Sequence, residues 1–175
     1  LYLLLDGHDG RPRAILDGTM LTPLRTAAAS AVASSLLARA DAHSLLMIGT
    51  GTLAPHLIAA HCCVRRIDRI AVWGRSREKA QALVERLAAE GRNAAIAEDL
   101  DAAIADADII SAATLSRQPL IRGALVRPGV HVDLVGAFTP AMAEGDPACF
   151  GRARVFVDAR DAAFEEAGDL LQAIA

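Results

Sequence analysis

From residue 44 onward, short apolar runs alternate with longer stretches in which apolar positions recur at helical spacing. The apolar runs predict strands at 45–48, 69–73, 93–97, 107–112, 130–135 and 154–157. The helical spacing predicts helices at 53–62, 76–90 and 100–105, and a last helix from residue 159. Strands that alternate with helices are typical of a parallel sheet covered on both faces. The predicted fold class is therefore α/β, with a doubly wound parallel sheet.

A different pattern precedes residue 44. Two apolar stretches, 1–5 and 13–18, flank the turn-forming cluster 6–10 and predict a β-hairpin. A long helix is predicted from Thr22 to Arg39, with Pro23 in its first turn. These elements form an N-terminal appendage to the doubly wound part.

The composition excludes several classes of protein. The 175 residues are 53% hydrophobic, which is enough for a sizeable core and excludes disorder. Charges interrupt every apolar run before it could span a membrane, and no basic run indicates a nucleic-acid partner. Three cysteines, two of them adjacent, are too few for a disulfide framework, so we expect a reducing, cytoplasmic setting. The chain opens at Leu1 without an initiator Met, and we expect it to be part of a longer protein.

A glycine loop follows the first strand of the doubly wound part. Residues 49–54 read G-T-G-T-L-A and open a helix, which is the context that a dinucleotide-binding fingerprint of the Rossmann type requires. The first glycine permits a tight turn, the second lets the backbone approach a pyrophosphate, and Ala54 lets the helix pack closely on the sheet. We therefore predict that this loop binds a dinucleotide through Gly49, Thr50, Gly51, Thr52 and Leu53.

The end of the second strand indicates which dinucleotide is bound. An NAD site usually has an acidic residue there to bind the ribose hydroxyls, whereas this chain has Trp73-Gly74-Arg75-Ser76-Arg77, with Lys79 close behind. Arginine and serine at a helix N-terminus suit a 2′-phosphate, although a solvated helix start is the alternative interpretation. NADP(H) is the preferred prediction, with NAD(H) as the other option.

Several motifs together resemble the ornithine cyclodeaminase/mu-crystallin family. The segment 21–28, L-T-P-L-R-T-A-A, is similar to the L-T-x-x-R-T-A-A segment of that family. The other motifs follow in the family's order: the I-G-x-G loop from Ile48, 73–76, 107–110, 127–131, V-G-A-F-T-P at 135–140, and E-A-G-D at 166–169. The resemblance covers essentially the whole chain.

The resemblance implies an enzyme of amino-acid metabolism. True cyclodeaminases carry a catalytic aspartate where this chain has Phe138, which disfavours ring-closing deamination. The V-G-A-F-T-P version is similar to the family's bacterial cyclic-imine reductases, which reduce Δ1-pyrroline-2-carboxylate, and often Δ1-piperideine-2-carboxylate, to L-proline and L-pipecolate with NAD(P)H. The alternatives are a cyclodeaminase or amino-acid dehydrogenase of the same family, or a protein that binds NADPH or a small ligand without turnover, as the hormone binding of mu-crystallin suggests.

The resemblance also implies site residues and domains. Residues 1–40 would be the end of a substrate and dimerisation domain, and 41–175 an NAD(P)-binding domain. Arg25 is the candidate that binds the carboxylate of a cyclic imino acid, against the alternative of a surface arginine that pairs locally. The catalytic proton donor is not identified and is expected outside this chain, and the full-length protein is expected to form a homodimer. The family's cofactor contacts correspond here to Thr26, Gly51, Thr52, Gly74, Arg75, Ser76 and Lys79 on the phosphate and adenosine side, and to Thr114, Leu115 and Val135 near the nicotinamide.

Other reactive side chains suggest no further site. The five histidines lack metal-ligand spacing, and Cys62-Cys63 is isolated, so no metal is expected. Asp106 and Asp108 are interpreted as a solvated helix-to-strand turn, and Glu165, Glu166 and Asp169 as the polar face of the last helix.

Overall fold

A computed structural model describes all residues, 1–175. It contains seven strands, seven α-helices and a short 3-10 turn at Gly123–Leu125. The strands are β1 Tyr2–Leu5, β2 Pro12–Leu16, β3 Ser44–Ile48, β4 Arg69–Trp73, β5 Ala94–Ile96, β6 Ile109–Ala112 and β7 His131–Leu134. The helices are α1 Gly18–Leu37, α2 Leu53–Val64, α3 Arg77–Ala89, α4 Leu100–Asp106, α5 Pro147–Gly151, α6 Arg160–Glu166 and α7 Gly168–Ile174.

The central sheet has the strand order β5-β4-β3-β6-β7, and all of its pairs are parallel. The chain builds outward from β3 to β4 and β5, and then returns to the other side of β3 to add β6 and β7. The strand order therefore reverses between β3 and β6, which is a topological switch point. The predicted doubly wound α/β fold is confirmed. None of the helices combines the length and the apolarity needed to cross a bilayer.

Strand β3 divides the core into two layers. Every residue of β3 is buried, and its side chains alternate between the sheet faces, as the pleat requires. Leu45 and Met47 belong to the layer shared with α1, α2 and α3, whereas Leu46 and Ile48 belong to the layer shared with α4. Helices on both faces thus explain why the strand is a continuous apolar run rather than an alternating one.

Helix α1 begins earlier than the sequence predicts. It starts at Gly18, because the Asp17 carboxylate accepts a hydrogen bond from the Thr19 N–H and caps the helix. Pro23 therefore lies in the second turn and not in the first, which corrects the prediction. The buried positions of α1 are Pro23, Ala27, Ser30 and Ser34, a stripe of small residues at helical spacing. This stripe lets α1 pack closely against α2.

Two predictions for the C-terminal region are wrong. The predicted strand at 154–157 pairs with no other strand, and its residues are exposed between α5 and α6. The last helix is also divided, because the chain turns at Ala167 between α6 and α7. The Gly168 N–H donates to the Ala137 carbonyl at 3.0 Å, and a Cβ at Gly168 would overlap the carbonyls of Thr139 and Met142. This close backbone approach breaks the helix at the predicted E-A-G-D motif.

The interpretation of Asp108 as part of a solvated turn is also wrong. Its carboxylate is buried and accepts hydrogen bonds from the Arg39 guanidinium at 2.8 Å and from the Ser44 hydroxyl at 2.9 Å. Burial raises the pKa of Asp108, but hydrogen bonds from His43 and Ser44 lower it further, so that it lies below its usual range. Asp106, by contrast, is exposed as predicted.

Candidate functional site

The carboxyl ends of four parallel strands are level at one edge of the sheet. Ile48 of β3 is paired with Trp73 of β4 and with Ala112 of β6, and Ala112 is paired with Leu134 of β7. The residues that follow these strands therefore lie along the same edge, which we call the cofactor edge: Gly49, Gly74, Ala113 and Val135. Open α/β sheets bind ligands at this edge, next to the switch point.

The glycine loop is shaped by its two glycines in different ways. Gly49 has φ +116°, and a Cβ there would lie 2.5 Å from the Ala113 carbonyl oxygen, so no other residue fits. Gly51 has no atom within 4 Å of a would-be Cβ, so its backbone faces open space. Thr52 precedes α2 in helical conformation without a side-chain capping bond, and the first turn of α2 contains no acidic residue. The N–H groups at this helix start are therefore free of side-chain acceptors, as an anion requires.

The end of β4 lies against the glycine loop. A Cβ at Gly74 would be 2.6 Å from the Thr50 methyl carbon, so the two loops are in close contact. The Ser76 hydroxyl caps α3 by accepting from the Lys79 N–H at 3.3 Å, which leaves its own O–H free to donate. The side chains of Arg75 and Lys79 are exposed and form no ion pair within the chain, whereas Arg77 is paired with Glu98.

The residues predicted near the nicotinamide also lie at the cofactor edge. Thr114 and Leu115 follow β6, and Val135 follows β7. The Thr114 methyl carbon would be 3.3 Å from a Cβ at Gly49, so Thr114 borders the glycine loop. Leu115 is exposed, and Val135 packs against the layer of α2 and α3. The structure thus brings the residues predicted after four different strands to one edge.

Arg25 and Thr26 lie on α1, toward the same edge. The Arg65 guanidinium, just after α2, donates to the carbonyls of Ser35, Ala38 and Arg39 at the end of α1. The two helices pack side by side with their C-terminal ends together, so they run parallel. The N-terminal half of α1 therefore lies beside the start of α2. The Arg25 side chain is exposed and forms no hydrogen bond or ion pair within the chain, unlike a surface arginine that pairs locally.

Sequence reasoning missed Glu144, which joins two of these loops. One carboxylate oxygen, Oε1, accepts from the Thr114 N–H at 2.6 Å and from the Thr114 hydroxyl at 2.7 Å. The other, Oε2, accepts from the Gly136 N–H at 2.7 Å. Glu144 is fully buried, and burial raises its pKa although the Thr114 and Gly136 bonds oppose the shift. Nothing in the sequence around Glu144 distinguishes it from a surface glutamate.

Asp169 is not on a polar helix face, which corrects its interpretation. It is buried, and its Oδ1 accepts from the N–H groups of Glu144 at 2.6 Å and Gly145 at 2.8 Å. Burial raises the pKa of Asp169 above its usual range. Glu165 and Glu166 are exposed as predicted. The E-A-G-D motif is the only sequence signal that pointed to Asp169.

Two open clefts lie at the opposite edge of the sheet. One, of about 440 Å³, includes Arg65, Asp68 and Arg92, and the other, of about 520 Å³, includes Ala40 and His43. Neither contains a residue of the cofactor edge. No group of three or more His, Cys, Asp or Glu side chains is placed to hold a metal ion.

A doubly wound parallel sheet with a glycine loop at its switch point defines the class of Rossmann-type domains. Within that class, the chain belongs to the ornithine cyclodeaminase/mu-crystallin family, whose profile matches residues 1–174. The family resemblance of the motifs is therefore confirmed.

Three relatives show how similar the chain is to other proteins. It is 46% identical to the Delta(1)-pyrroline-2-carboxylate reductase of Paracoccus denitrificans, over 99% of this chain and 55% of the relative. The structure of Thermococcus litoralis Delta(1)-pyrroline-2-carboxylate reductase in complex with NADH and L-proline superposes with a TM-score of 0.94 and 31% identity, over 98% of this chain and 54% of that chain. The Paracoccus denitrificans iminosuccinate reductase in complex with NAD+ gives a TM-score of 0.91 and 34% identity, over 98% and 53%. The chain thus spans about half the length of these relatives.

Proposed function

We propose that the protein containing this chain reduces a cyclic imine amino acid with NADPH, converting Δ1-pyrroline-2-carboxylate to L-proline. Δ1-Piperideine-2-carboxylate, which is larger by one methylene, is the second substrate of the same chemistry, giving L-pipecolate. The observation that carries the proposal is the cofactor edge, found in a chain 46% identical to a protein named for this reaction. NADH is the alternative cofactor, because the two solved relatives contain NADH and NAD+.

The residues of the cofactor edge fit a dinucleotide. A pyrophosphate needs N–H donors and close backbone approach, which the start of α2 and the open position at Gly51 offer. Thr50, Thr52 and Leu53 would border the diphosphate, and Thr26 would approach it from α1. When bound, the nicotinamide supplies a hydride to the imine carbon. The chain's own contribution is to orient the cofactor and to hold the substrate carboxylate.

A preference for NADPH follows from the charges after β4. Arg75 and Lys79 are exposed cations without a partner in the chain, and the Ser76 O–H is free to donate. A 2′-phosphate accepts hydrogen bonds from all three groups, and no acidic side chain at the end of β4 competes for a ribose hydroxyl.

Arg25 is proposed to bind the substrate carboxylate. Its guanidinium is exposed and unpaired, and it lies in the half of α1 beside the start of α2, which follows the glycine loop. A guanidinium matches a carboxylate with two parallel hydrogen bonds, which would fix the imine ring relative to the nicotinamide. The proton donor to the ring nitrogen is proposed to lie in the part of the protein outside this chain, and the full-length protein is proposed to be a cytoplasmic homodimer.

The experiment is a turnover assay on the full-length protein. We expect Δ1-pyrroline-2-carboxylate to cause loss of NADPH absorbance and to yield L-proline. Arg25→Ala should raise the KM for the imine about tenfold or more, because the carboxylate loses a charged partner. Arg66→Ala is the matched control, since Arg66 is a surface arginine that is 93% exposed and pairs only with Asp68.

The alternatives give different results in the same assay. Tight NADPH binding by a folded protein without turnover would support a non-catalytic binding protein. Release of ammonia from ornithine would show a cyclodeaminase, against the interpretation of Phe138. Reduction of pyruvate in the presence of ammonia, but not of cyclic imines, would show an amino-acid dehydrogenase.

A further inference from the structure

The side chain of Glu144 links the two loops that follow β6 and β7, on the side of the switch point away from β4. We propose that Glu144 is a positioning residue, which holds the nicotinamide half of the cofactor site in shape while leaving the adenosine half to the glycine loop and α3. This inference rests on the proposed function, because it assigns a role toward the same cofactor. Glu144 touches neither the glycine loop nor the end of β4 by hydrogen bond.

The geometry uses both oxygens of the carboxylate. Oε1 holds the backbone and hydroxyl of Thr114, which follows β6, and Oε2 holds the backbone of Gly136, which follows β7. A Cβ at Gly136 would overlap the Thr114 carbonyl and the Glu144 carboxylate, so the two loops are in contact through the space that glycine leaves free. The Glu144 carboxylate therefore joins the two loops just beyond the last backbone bond between them, from the Val135 N–H to the Ala112 carbonyl.

The backbone of Glu144 is itself held by hydrogen bonds. Asp169 accepts from the N–H groups of Glu144 and Gly145, and the Glu144 carbonyl accepts from the N–H groups of Leu120 and Ile121, both at 2.8 Å. The backbone at position 144 therefore cannot easily move to compensate for an altered side chain.

The chemistry of the contact requires a group that only accepts. Every partner of the Glu144 carboxylate is a donor, and two of them are backbone N–H groups that cannot reverse their direction. A glutamine at this position has the same shape but directs an N–H₂ at one of those donors. Glu144→Gln should therefore leave an unsatisfied buried donor and displace one of the two loops.

The test separates the two halves of the cofactor by calorimetry on the full-length protein. Adenosine 2′,5′-bisphosphate reports the adenosine half alone, and NADPH reports both halves. We expect Glu144→Gln to raise the Kd of NADPH about tenfold and to leave the Kd of the bisphosphate within about twofold. A lower kcat for the imine at saturating NADPH should accompany this change, because the nicotinamide is misplaced.

Two further variants keep the test independent of folding. Thr114→Val removes the hydroxyl, which donates to Glu144 at 2.7 Å and accepts from the Ser116 N–H at 3.2 Å. It should weaken NADPH binding about threefold, again without an effect on the bisphosphate, whereas Thr114→Ser should restore binding. Glu165→Gln is the matched control, since Glu165 is exposed on α6. Equal weakening of both ligands, or no change in either, would overturn the positioning role. Failure of the wild-type protein to bind NADPH or NADH would instead overturn the proposed function.

Discussion

The imidazole Nε2 of His61 lies 3.2 Å from Oδ2 of Asp133, which links helix α2 to strand β7 across the sheet face. The same carboxylate accepts from the Ser111 hydroxyl of β6 at 2.8 Å and from the Ser30 hydroxyl of α1 at 3.0 Å. His61 is fully buried. The Asp133 carboxylate thus connects α1 and α2 to the sheet through hydrogen bonds. These bonds lie next to the stripe of small residues along which the two helices pack.

Asp133→Asn should destabilise the fold. Burial raises the pKa of Asp133, but the bonds from His61, Ser111 and Ser30 lower it further, so the group is held as a carboxylate. An asparagine directs an N–H₂ at these donors, and we expect a loss of about 2–3 kcal/mol in the free energy of unfolding, measured in urea. Asp41→Asn, at a surface position, should stay within about 0.5 kcal/mol. Equal losses in the two variants would contradict the network.

His131 should make the stability depend on pH near neutrality. Its ring lies 6.5 Å from that of His61, and burial lowers its pKa below the ordinary 6.5, with Asp133 opposing and the charges of His61 and Arg65 adding to the shift. Between the unfolded and the folded pKa, the unfolded state binds more protons, so the free energy of unfolding falls as the pH falls.

The measurement is the change in the free energy of unfolding with pH, from pH 7.5 down to about 5. Asp133 stays ionised over this range, because its pKa is lowered. We expect the wild-type protein to lose stability across this window and His131→Gln to lose less. His8→Gln, in the exposed turn between β1 and β2, serves as the control and should keep the wild-type slope. An unchanged slope in His131→Gln would show that other groups cause the dependence.

The sequence predicts features whose interacting residues are close together in the chain better than those whose residues are far apart. The glycine loop is recognisable in the sequence because its turn, its open glycine and the start of the following helix all lie within six residues. The strand prediction for 154–157 is wrong because a short apolar run does not show whether a neighbouring strand is available to pair with it. Asp108, Asp169 and Glu144 look like surface acids, since each accepts a hydrogen bond from a residue 25–69 positions away in the chain. Burial of such groups is a property of the tertiary structure.

Variants of Asp108 and Asp106 test the difference between a buried and an exposed acid directly. Asp108→Ala leaves the Arg39 guanidinium and the Ser44 hydroxyl without their buried acceptor and should cost about 2–4 kcal/mol of unfolding free energy. Asp106→Ala, two residues earlier, removes an exposed ion pair with Arg69 and should cost less than about 1 kcal/mol. The free energies of unfolding of both variants are measured by denaturation at one pH. Similar losses would show that the buried hydrogen bonds of Asp108 do not stabilise the fold.

The two arginines after β4 should differ in their effect on cofactor choice. Arg75→Ala should raise the Kd of NADPH about tenfold and leave that of NADH almost unchanged, because only NADPH carries the 2′-phosphate. Arg77→Ala should affect both cofactors little, since Arg77 is already paired with Glu98. Calorimetric titration of the full-length variants with each cofactor measures this difference. A loss confined to Arg77→Ala would place the phosphate on the other side of Ser76.

Replacing each glycine of the loop by alanine should have a different effect: one variant should lose stability, and the other should lose affinity for the cofactor. At Gly49, with φ +116°, a Cβ would overlap the Ala113 carbonyl, so Gly49→Ala should lower the unfolding free energy by about 2 kcal/mol or more. At Gly51 a Cβ meets no atom, so the variant should fold with wild-type stability. It should nevertheless weaken NADPH binding about tenfold or more, because the methyl group occupies the space into which the pyrophosphate must come. Thermal melting without ligand and calorimetry with NADPH separate the two effects. Wild-type affinity in Gly51→Ala would mean that the pyrophosphate lies elsewhere along the cofactor edge.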